Sequence, residues 1–504
     1  MTAPIHETVR AEDISLHRPF HAMNDRARSL VRLLASGGDA RIALDRETGL
    51  NKYFSGPYPR DVLAYSSSTI SDISTDAFAH CLAMQETIET QPYSISLDRL
   101  RARINGAIGV DEDTARIVFA PSGTDLEYVA LAAVSAKGPN EKGGGGVHNI
   151  LLGADETGSG CIHSAHGRFF AKETALGVAT TPAHTVPGCV PVTLVDIPVR
   201  CSEGVARSSA VIVADMTAEI IAAQARGAHA LVHCVHGSKT GLVLPALADL
   251  EALQSRFGDA LTFVVDACQA RITSRAIAAY LERGCIILMT GSKFMGAPPF
   301  NGWALIPAAM ATQASPLPEG FAAIFRRAEW PEGWPGRDIL MDSANPSLAI
   351  RLEAAMFEFE RFQAIAMDRV AQIIDAFEAA VATHLIGPLA VRRVCPGGDA
   401  GQTGRPIEMR TLITLDMSDL PGLATFADAQ VLHKALAMDG IRLGQPVKCV
   451  RFDGEWGGTL RVGISMPQVT RWASMADGDV MDELASDMER IAAGITAHLA
   501  KASQ

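Results

Sequence analysis

The sequence predicts an α/β protein with a large, doubly wound, mostly parallel sheet, a smaller α+β domain after it and an N-terminal extension before it. The large sheet is predicted by apolar runs that alternate with helical patterns and begin near residues 115, 149, 192, 228, 260 and 285. Most of these runs are continuously apolar, as expected for parallel strands that helices cover on both faces. Beyond residue 409, shorter strand and helix patterns alternate and predict the smaller C-terminal domain.

Composition argues against several classes of protein. The 504 residues are 48% hydrophobic and 20% charged, which is typical of a globular chain with two or three domains. The net charge of −12 argues against a nucleic-acid partner, because phosphate neutralisation needs a basic face. Nine cysteines without a CxxC pair indicate free or buried thiols in a reducing compartment. The N-terminus resembles no secretory signal and no apolar run approaches the roughly 20 residues of a membrane helix, so we expect a soluble, cytoplasmic protein.

The chain is predicted to divide into three segments. Residues 1–94 form an N-terminal extension that contributes to the small domain or to a dimer contact, with a helix at 26–34 and irregular backbone at 49–71. The irregular backbone is predicted because glycine, proline and serine are frequent there. Residues 95–345 form the large domain, and residues 346–504 form an interdomain helix and the small domain.

A small polar turn follows the first strand of the large domain. The strand covers residues 115–120, a helical pattern covers 126–137, and Ser122, Gly123 and Thr124 lie between them. This arrangement directs backbone N–H groups and the positive end of a helix toward a phosphate. The three residues are therefore candidates for phosphate binding, although a serine or threonine before a helix also serves as an ordinary cap.

An acid and a lysine follow two consecutive strands in the middle of the chain. The apolar run 261–265 ends in Asp266, a helical pattern follows, and the next apolar run, 285–289, ends shortly before Lys293. In an open parallel sheet both side chains emerge at the carboxyl edge, where ligands bind. They match the pair that pyridoxal phosphate (PLP) requires, an amine that forms a Schiff base and a carboxylate that keeps the pyridine nitrogen protonated. The structural alternative is a surface lysine in a glycine-rich turn beside a strand-end aspartate.

Asp266, Gln269 and Lys293 carry a resemblance to a known family. Their order and spacing resemble the core of the fold type I PLP enzymes (the aspartate-aminotransferase fold), most of all the class V branch that includes cysteine desulfurases and kynureninase. The resemblance covers about residues 95–500. It implies that Lys293 carries the cofactor and acts as the catalytic base, that Asp266 pairs with the ring nitrogen and that Gln269 bonds the ring hydroxyl. It also assigns further residues to the cofactor: Ser122, Gly123, Thr124, Thr290 and Ser292.

The same resemblance singles out three further positions. Relatives often place a histidine on the cofactor ring after a glutamate, but this chain has Glu156 followed by Thr157, so Thr157 is predicted to cover the ring. This departure argues against a cysteine desulfurase mechanism, as does Val447 at the place where one desulfurase group keeps its sulfur-accepting cysteine, with Cys449 two residues later. Ser343 matches the residue whose hydroxyl reaches the phosphate of the other subunit's cofactor, which implies a homodimer with shared active sites.

Arg461 is the predicted ligand of the substrate carboxylate. It resembles the arginine that binds the α-carboxylate across this fold, and a planar guanidinium meets a carboxylate with two hydrogen bonds. The alternative is a strand arginine that pairs with a neighbouring acid. Asn51, Tyr53 and His236 are further substrate-binding candidates, the first two because N-terminal segments of related enzymes help to close the active site. Each of these three has an ordinary structural role as its alternative.

Two other kinds of site are disfavoured by the sequence. His233 and His236 are three residues apart on a strand, so their side chains face opposite ways, and no third ligand accompanies them. We therefore predict no metal site. The glycines at positions 158 and 160 lack the third glycine of a dinucleotide-binding loop, which argues against a nicotinamide-dependent enzyme.

These residues together predict a PLP-dependent enzyme that acts on an amino acid, a small-molecule substrate, through a Schiff base to Lys293, most specifically an aminotransferase. The alternative is a PLP-dependent lyase that cleaves C–S or C–C bonds, or a decarboxylase, because one fold hosts all of these reactions. A non-enzymatic binding or regulatory protein is a third hypothesis. The presence of both Lys293 and Asp266 argues against it.

Overall fold

Strands and helices alternate through the first two thirds of the chain. The structure, a computed structural model, describes residues 23–66, 71–137, 145–154, 156–158, 160–395 and 406–502. The elements up to residue 313 are α1 (Asp25–Leu34), β1 (Leu63–Tyr65), α2 (Thr75–Thr90), α3 (Tyr93–Ile108), β2 (Ala115–Ala120), α4 (Leu126–Val134), β3 (Val147–Leu152), α5 (Cys161–Ala165), β4 (Val192–Ile197), α6 (Ser209–Ala225), β5 (His229–His236), β6 (Val243–Leu244), α7 (Leu247–Phe257), β7 (Leu261–Asp266), α8 (Ser274–Glu282), β8 (Ile286–Met289), β9 (Gly302–Pro307) and α9 (Ala308–Gln313).

The large sheet runs through the middle of the large domain. Seven strands lie in the order β2-β9-β8-β7-β5-β3-β4, and β6 pairs with β5. The pairs from β8 to β4 are parallel, whereas β9 is antiparallel to both β8 and β2. Helices cover both faces of the sheet, and successive side chains of β7 point to opposite faces. Phe263 and Val265 pack on the face covered by α3, α6 and α8. Val264 packs on the face covered by α4. The predicted doubly wound, mostly parallel sheet is confirmed.

The C-terminal part of the chain forms the predicted smaller α+β domain, which has its own hydrophobic core. The helix α10 (Pro346–Gln363) comes first and buries its apolar side chains in the core of the large domain, at the place where the sequence analysis expects the interdomain helix. The elements after it are α11 (Met367–Ala380), β10 (Arg392–Val394), β11 (Leu412–Asp416), α12 (Phe426–Met438), β12 (Ile441–Leu443), β13 (Arg451–Phe452), β14 (Glu455–Trp456), β15 (Thr459–Gly463), α13 (Met466–Ala473) and α14 (Asp477–Ala502). The main sheet of the small domain is antiparallel, in the order β10-β11-β15.

The N-terminal segment contacts both domains. β1 pairs in parallel with β12 of the small domain, with Leu63 opposite Ile441. α2 packs against α10, where the thiol of Cys81 donates to the carbonyl oxygen of Ile350 (3.7 Å). The sequence predicts neither β1 nor α2. A three-residue strand shows no periodicity, and β1 forms only because β12 is brought beside it.

Arg351 of α10 holds the turn that follows α1. Its side chain is fully buried and donates to the carbonyl oxygens of Ser36 (2.6 Å) and Gly37 (3.2 Å). It also donates to the carbonyl oxygens of Leu34 (3.3 Å) and Phe300 (2.8 Å). These bonds satisfy the end of α1 and fix the N-terminal segment against the large domain.

One helical stretch has the length and apolar composition of a membrane-crossing segment, contrary to the expectation from the sequence. It covers the 23 residues Met367–Leu389. One face of it, which includes Ile374 and Phe377, is buried in the core of the small domain. In the fold this stretch is therefore a core helix.

Replacing Arg351 with alanine is expected to destabilise the protein strongly. The change removes a donor from four carbonyl oxygens, of which that of Gly37 keeps a hydrogen bond from the amide of Asn345 (3.0 Å). Each buried acceptor left unsatisfied costs about 1–3 kcal/mol. We expect the free energy of unfolding, measured in urea, to fall by roughly 3–5 kcal/mol, which is the range for disrupting the interactions of a buried charged group. Arg490→Ala, at a side chain that is 66% exposed, is the matched control and should change stability by less than about 0.5 kcal/mol. Equal effects of the two changes would contradict this role.

Candidate active site

A cavity of about 210 Å³ lies at the carboxyl edge of the large sheet. Its walls come from the N-terminal segment, the large domain and the small domain, and it brings together most of the site residues predicted from the sequence. These are Tyr53, Ser122, Gly123, Thr124, Thr157, Asp266, Gln269, Thr290, Ser292, Lys293 and Arg461. A larger cavity of about 400 Å³ lies between the N-terminal segment and the small domain, and the residues lining it include none of the predicted ones.

Asp266 and Lys293 meet because β7 and β8 are parallel neighbours. Asp266 is the last residue of β7 and pairs with Leu288 of β8, so the loop after β8 begins beside it. The side chain of Asp266 accepts a hydrogen bond from the backbone N–H of Cys268 (2.9 Å), which orients the carboxylate. Lys293 is half-buried in the following loop, and Asn301 supports this loop by accepting from the N–H of Gly291 (2.6 Å). An acid and an amine therefore line the same cavity.

The turn between β2 and α4 has the predicted form of an anion cradle. Gly123 is packed so closely that a Cβ there would lie 3.0 Å from Cγ2 of Thr290. The hydroxyls of Ser122 and Thr124 accept hydrogen bonds from an arginine, Arg41, over 3.2 and 3.3 Å. A helix N-terminus, two hydroxyls and a guanidinium are together the chemistry that binds a phosphate.

Arg41 is the functional candidate that the sequence analysis missed. Asp39 anchors it, with Oδ2 accepting from Nη2 (2.6 Å), and its guanidinium carbon lies 5.1 and 5.2 Å from the ring centres of Phe170 and Phe300. Burial lowers the pKa of Arg41, and the hydrogen bond and charge of Asp39 outweigh this and raise it above its ordinary value. The only signal in the sequence is an Asp-x-Arg pair after two glycines in an irregular segment, which has no distinctive spacing.

Asp125 lies directly behind the cradle and is completely buried. It accepts a hydrogen bond from the hydroxyl of Ser122 (2.5 Å). The pKa of Asp125 is raised to about 7. Burial is the main cause, the charge of Asp39 acts in the same direction, and the hydrogen bond from Ser122 acts in the opposite direction. The direction of this shift favours the neutral form of the carboxyl.

Glu156 and Thr157 have different roles in the structure. Thr157 lines the cavity, as predicted, whereas Glu156 is buried away from it and pairs with Arg200 (2.8 Å). Ser238 and the backbone N–H of Thr240 donate to the same carboxylate (2.8 and 3.1 Å). This network holds the loop after β5 against the loop after β3 at the cavity edge.

Arg461 enters the cavity from β15 and is 3% exposed. Its Nε donates to the carbonyl oxygen of Gln445 (2.8 Å) and its Nη1 to that of Lys239 (3.1 Å). Among the described residues no acid lies within ion-pair distance of Arg461, and the neighbouring acid, Glu156, pairs with Arg200. Burial lowers the pKa of Arg461 to about 10, and the charge of Glu156 opposes this. A buried cation of this kind favours an anionic ligand.

Three predicted residues lie outside the residues that line the cavity. The Asn51 amide donates to Ser55 (2.7 Å) and accepts from the backbone N–H of Tyr53 (2.8 Å), so it shapes the loop that carries Tyr53 to the cavity. His236 is buried against Tyr280, with its Nδ1 3.1 Å from the phenol oxygen. These contacts are structural, in place of the predicted substrate contact. Ser343 is half-buried in the segment before α10, at the surface of this chain.

Comparison with known proteins gives matches among solved structures alone, since no family model and no curated protein matches the chain. A cysteine desulfurase from Thermococcus onnurineus NA1 is 16% identical, with a TM-score of 0.51 over 86% of this chain and 95% of that one. Ureidoglycine–glyoxylate aminotransferase from Bacillus subtilis is 11% identical, with a TM-score of 0.50 over 86% and 99%. The cystine C–S lyase C-DES, with glycine covalently linked to its PLP cofactor, is 17% identical, with a TM-score of 0.51 over 85% and 97%.

These matches show the fold. The predicted resemblance to the fold type I PLP enzymes is confirmed at the level of the fold. The cavity also fits the cofactor of that fold, because the close-packed Gly123 and the hydroxyls beside it suit a phosphate. Asp266 and Lys293 supply the acid and the amine at neighbouring strand ends.

The buried carboxyl of Asp125 should make stability depend on pH. Its folded-state pKa of about 7 lies above the ordinary value of 3.8, so folding binds a proton and stability is lost as pH rises through that window. Asp125→Asn has no such carboxyl, so its free energy of unfolding should not fall in this pH window. The difference in free energy of unfolding between Asp125→Asn and the wild type should grow by up to about 4 kcal/mol from pH 4 to pH 7 and then level off. Urea unfolding without added cofactor measures this. The exposed Asp113→Asn is the control, and a difference that does not change with pH would contradict the burial of Asp125 as the cause.

Proposed function

We propose that this chain is a PLP-dependent enzyme that acts on an amino acid through Lys293, and that it is an aminotransferase. The observation that carries the proposal is the meeting of Lys293 and Asp266 at the ends of neighbouring parallel strands, in a cavity with an anion cradle at one side. Arg461 supports an amino acid substrate, because it is a buried cation that lines the same cavity.

The described residues divide the parts of the cofactor among them. Ser122, Gly123, Thr124 and Arg41 would hold the phosphate, and Thr290 packs against the cradle. Asp266 would face the ring nitrogen, Gln269 the ring oxygen and Thr157 the ring face. PLP, when bound, supplies an electron sink that stabilises negative charge at the substrate Cα.

Lys293 and Arg461 then have distinct tasks toward the substrate. Arg461 binds the α-carboxylate with the fork of its guanidinium, which fixes how the Cα bonds stand relative to the ring. Lys293 takes the proton from Cα with its side-chain nitrogen and returns it to the other reacting carbon, as transamination requires. Tyr53 and Arg41 bring the N-terminal segment to the wall of the same cavity.

The alternative function is a lyase or decarboxylase that uses the same residues. A desulfurase-type transfer of sulfur to Cys449 is disfavoured by the position of that thiol. Cys449 is 4% exposed, and burial raises the pKa of its thiol to about 12. Sulfur transfer needs a reactive thiolate that reaches the substrate, which a buried neutral thiol does not supply.

We also propose that the protein is a homodimer in which Ser343 of one chain lies at the phosphate of the other. Ser343 is half-buried and lies outside the cavity of its own chain, which is consistent with a role toward a second chain. Analytical ultracentrifugation of the wild type and of Ser343→Ala, together with the PLP affinity of each, tests both parts. A monomer with unchanged PLP affinity would exclude the arrangement.

Loss of Lys293 should abolish the visible absorbance that PLP gives with this protein. Two described lysines line the cavity, Lys293 and Lys239. Lys293→Ala removes the one in the loop after β8, so PLP has no amine to join at the strand ends. We expect the variant to fold, to lose the visible band and to lose turnover. Lys239→Ala, at the other lysine that lines the cavity, should keep the band. A visible band of wild-type intensity in Lys293→Ala would overturn the cofactor assignment.

One equivalent of the right amino acid separates the two reaction types. An aminotransferase keeps the amino group after its first half-reaction, so a single equivalent should bleach the visible band and a 2-oxo acid should restore it. A lyase or decarboxylase releases product over many turnovers while the band persists. The measurement is the visible spectrum during titration with a panel of amino acids in the absence of 2-oxo acid.

Arg41 should contribute to binding through the phosphate alone. Arg41→Gln removes the one described guanidinium at the cradle, and we expect the affinity for PLP to fall about 10–100-fold, the cost of a charge-assisted hydrogen bond or two. The affinity for pyridoxal, which lacks the phosphate, should stay unchanged. Lys52→Gln, an exposed cation in the same segment, is the control for net charge. Equal losses for PLP and pyridoxal would indicate that Arg41 acts on the fold instead.

A further inference from the structure

Arg271 is a fully buried arginine beside the cavity, two residues after Gln269. Its Nη1 donates to Oε1 of Gln269 (3.0 Å) and its Nε to the hydroxyl of Thr411 (2.8 Å). Its Nη2 donates to the carbonyl oxygen of Ile464 (3.4 Å). Burial of a guanidinium is costly even when it is hydrogen-bonded, so a residue of this kind indicates a specific task.

These contacts decide which end of the Gln269 amide faces a ligand. An amide has an acceptor end, its oxygen, and a donor end, its NH₂ group. Arg271 donates to the oxygen, so the NH₂ group is the end that remains for the cavity, which Gln269 lines. A donor suits the ring oxygen of PLP, because that oxygen gains negative charge when its proton is lost.

Arg271 also links Lys293 to the small domain. Its guanidinium carbon lies 4.9 Å from the ring centre of Phe294, the residue that follows Lys293. The carbonyl oxygen of Phe294 accepts a hydrogen bond from the N–H of Met466 at the start of α13 (2.7 Å). Thr411, a second partner of Arg271, also belongs to the small domain. A change in the position of this domain would therefore alter the hydrogen bonds of Arg271.

Arg461 interacts with Arg271 through charge. Burial, and with it the neighbouring charge of Arg461, lowers the pKa of Arg271 to about 9.

We propose that Arg271 is a positioning residue that turns the NH₂ group of Gln269 toward the ring oxygen of the cofactor. The proposal rests on the proposed PLP-dependent function. It gives Arg271 a task beyond holding two domains together. A purely structural arginine would stabilise the fold without affecting the ionisation of a group in the cavity.

The first test is the pH dependence of the visible band of the PLP-loaded protein. A donor to the ring oxygen makes the proton near that oxygen and Lys293 easier to lose. Arg271→Met should therefore raise the midpoint of the spectral titration by roughly 1 pH unit. The other charged groups that line this part of the cavity, Asp266, Lys239 and Arg461, remain unchanged. Arg275→Met, an exposed arginine at the start of α8, is the matched control and should leave the midpoint unchanged.

A double-mutant cycle distinguishes action through Gln269 from a separate effect of charge. Gln269→Leu alone should raise the midpoint, and Arg271→Met added to it should shift the midpoint by less than half of its effect in the wild type. Full additivity of the two shifts would overturn the positioning role. Thr411→Val is a milder change that removes one hydrogen bond of Arg271, and it should give a smaller shift in the same direction even if Arg271→Met fails to fold.

If the wild type shows no visible band with PLP, the proposed function itself fails. If the band is present and its midpoint is the same in the wild type, Arg271→Met and Thr411→Val, only the inference about Arg271 fails.

Discussion

The parallel pairing of β7 and β8 is the constraint on which the candidate site depends. Because Asp266 lies opposite Leu288, the last residue of one strand stands beside the loop that leaves the other. Parallel strands require a crossover, and α8 supplies it while its apolar face covers the sheet. A shift of one residue in this register would turn Asp266 to the opposite face of the sheet, away from the cavity. The acid and the lysine are thus held together by strand pairing rather than by a direct bond between them.

Buried arginines attach the less regular parts of the chain to this edge. Arg351 holds the turn after α1, Arg41 reaches the anion cradle from the segment beyond that turn, and Arg271 joins the cavity to the small domain. A guanidinium has five N–H donors in a planar fork, so one side chain satisfies several carbonyl or hydroxyl oxygens of irregular backbone at once. This is how segments without a strand or helix of their own are fixed beside the sheet. Arg461 differs from the others, because it keeps part of its fork toward the cavity.

The large sheet, the small domain and most of the cavity lining were accessible from the sequence. Continuous apolar runs and helical periodicity mark the sheet, and Ser122, Asp266, Gln269 and Lys293 each lie directly after a strand or in a short turn. In a parallel sheet such positions converge at one edge whatever the details of packing. Arg41 could not be predicted in this way, because its approach to the cradle depends on Asp39, on two aromatic rings and on the turn held by Arg351.

The sequence by itself determined the alternation of strands and helices in the large sheet and the presence of an acid, an amine and a polar turn at strand ends, because periodicity and strand termini are local properties. Only the tertiary structure decided that β1 joins the small domain, that Asn51 and His236 make structural contacts, and that Arg41 lies at the cradle. Those outcomes depend on contacts between residues far apart in the chain, and no local pattern encodes which distant partner a side chain meets. The same reason places Arg271 between Gln269 and the small domain, where its charge meets that of Arg461.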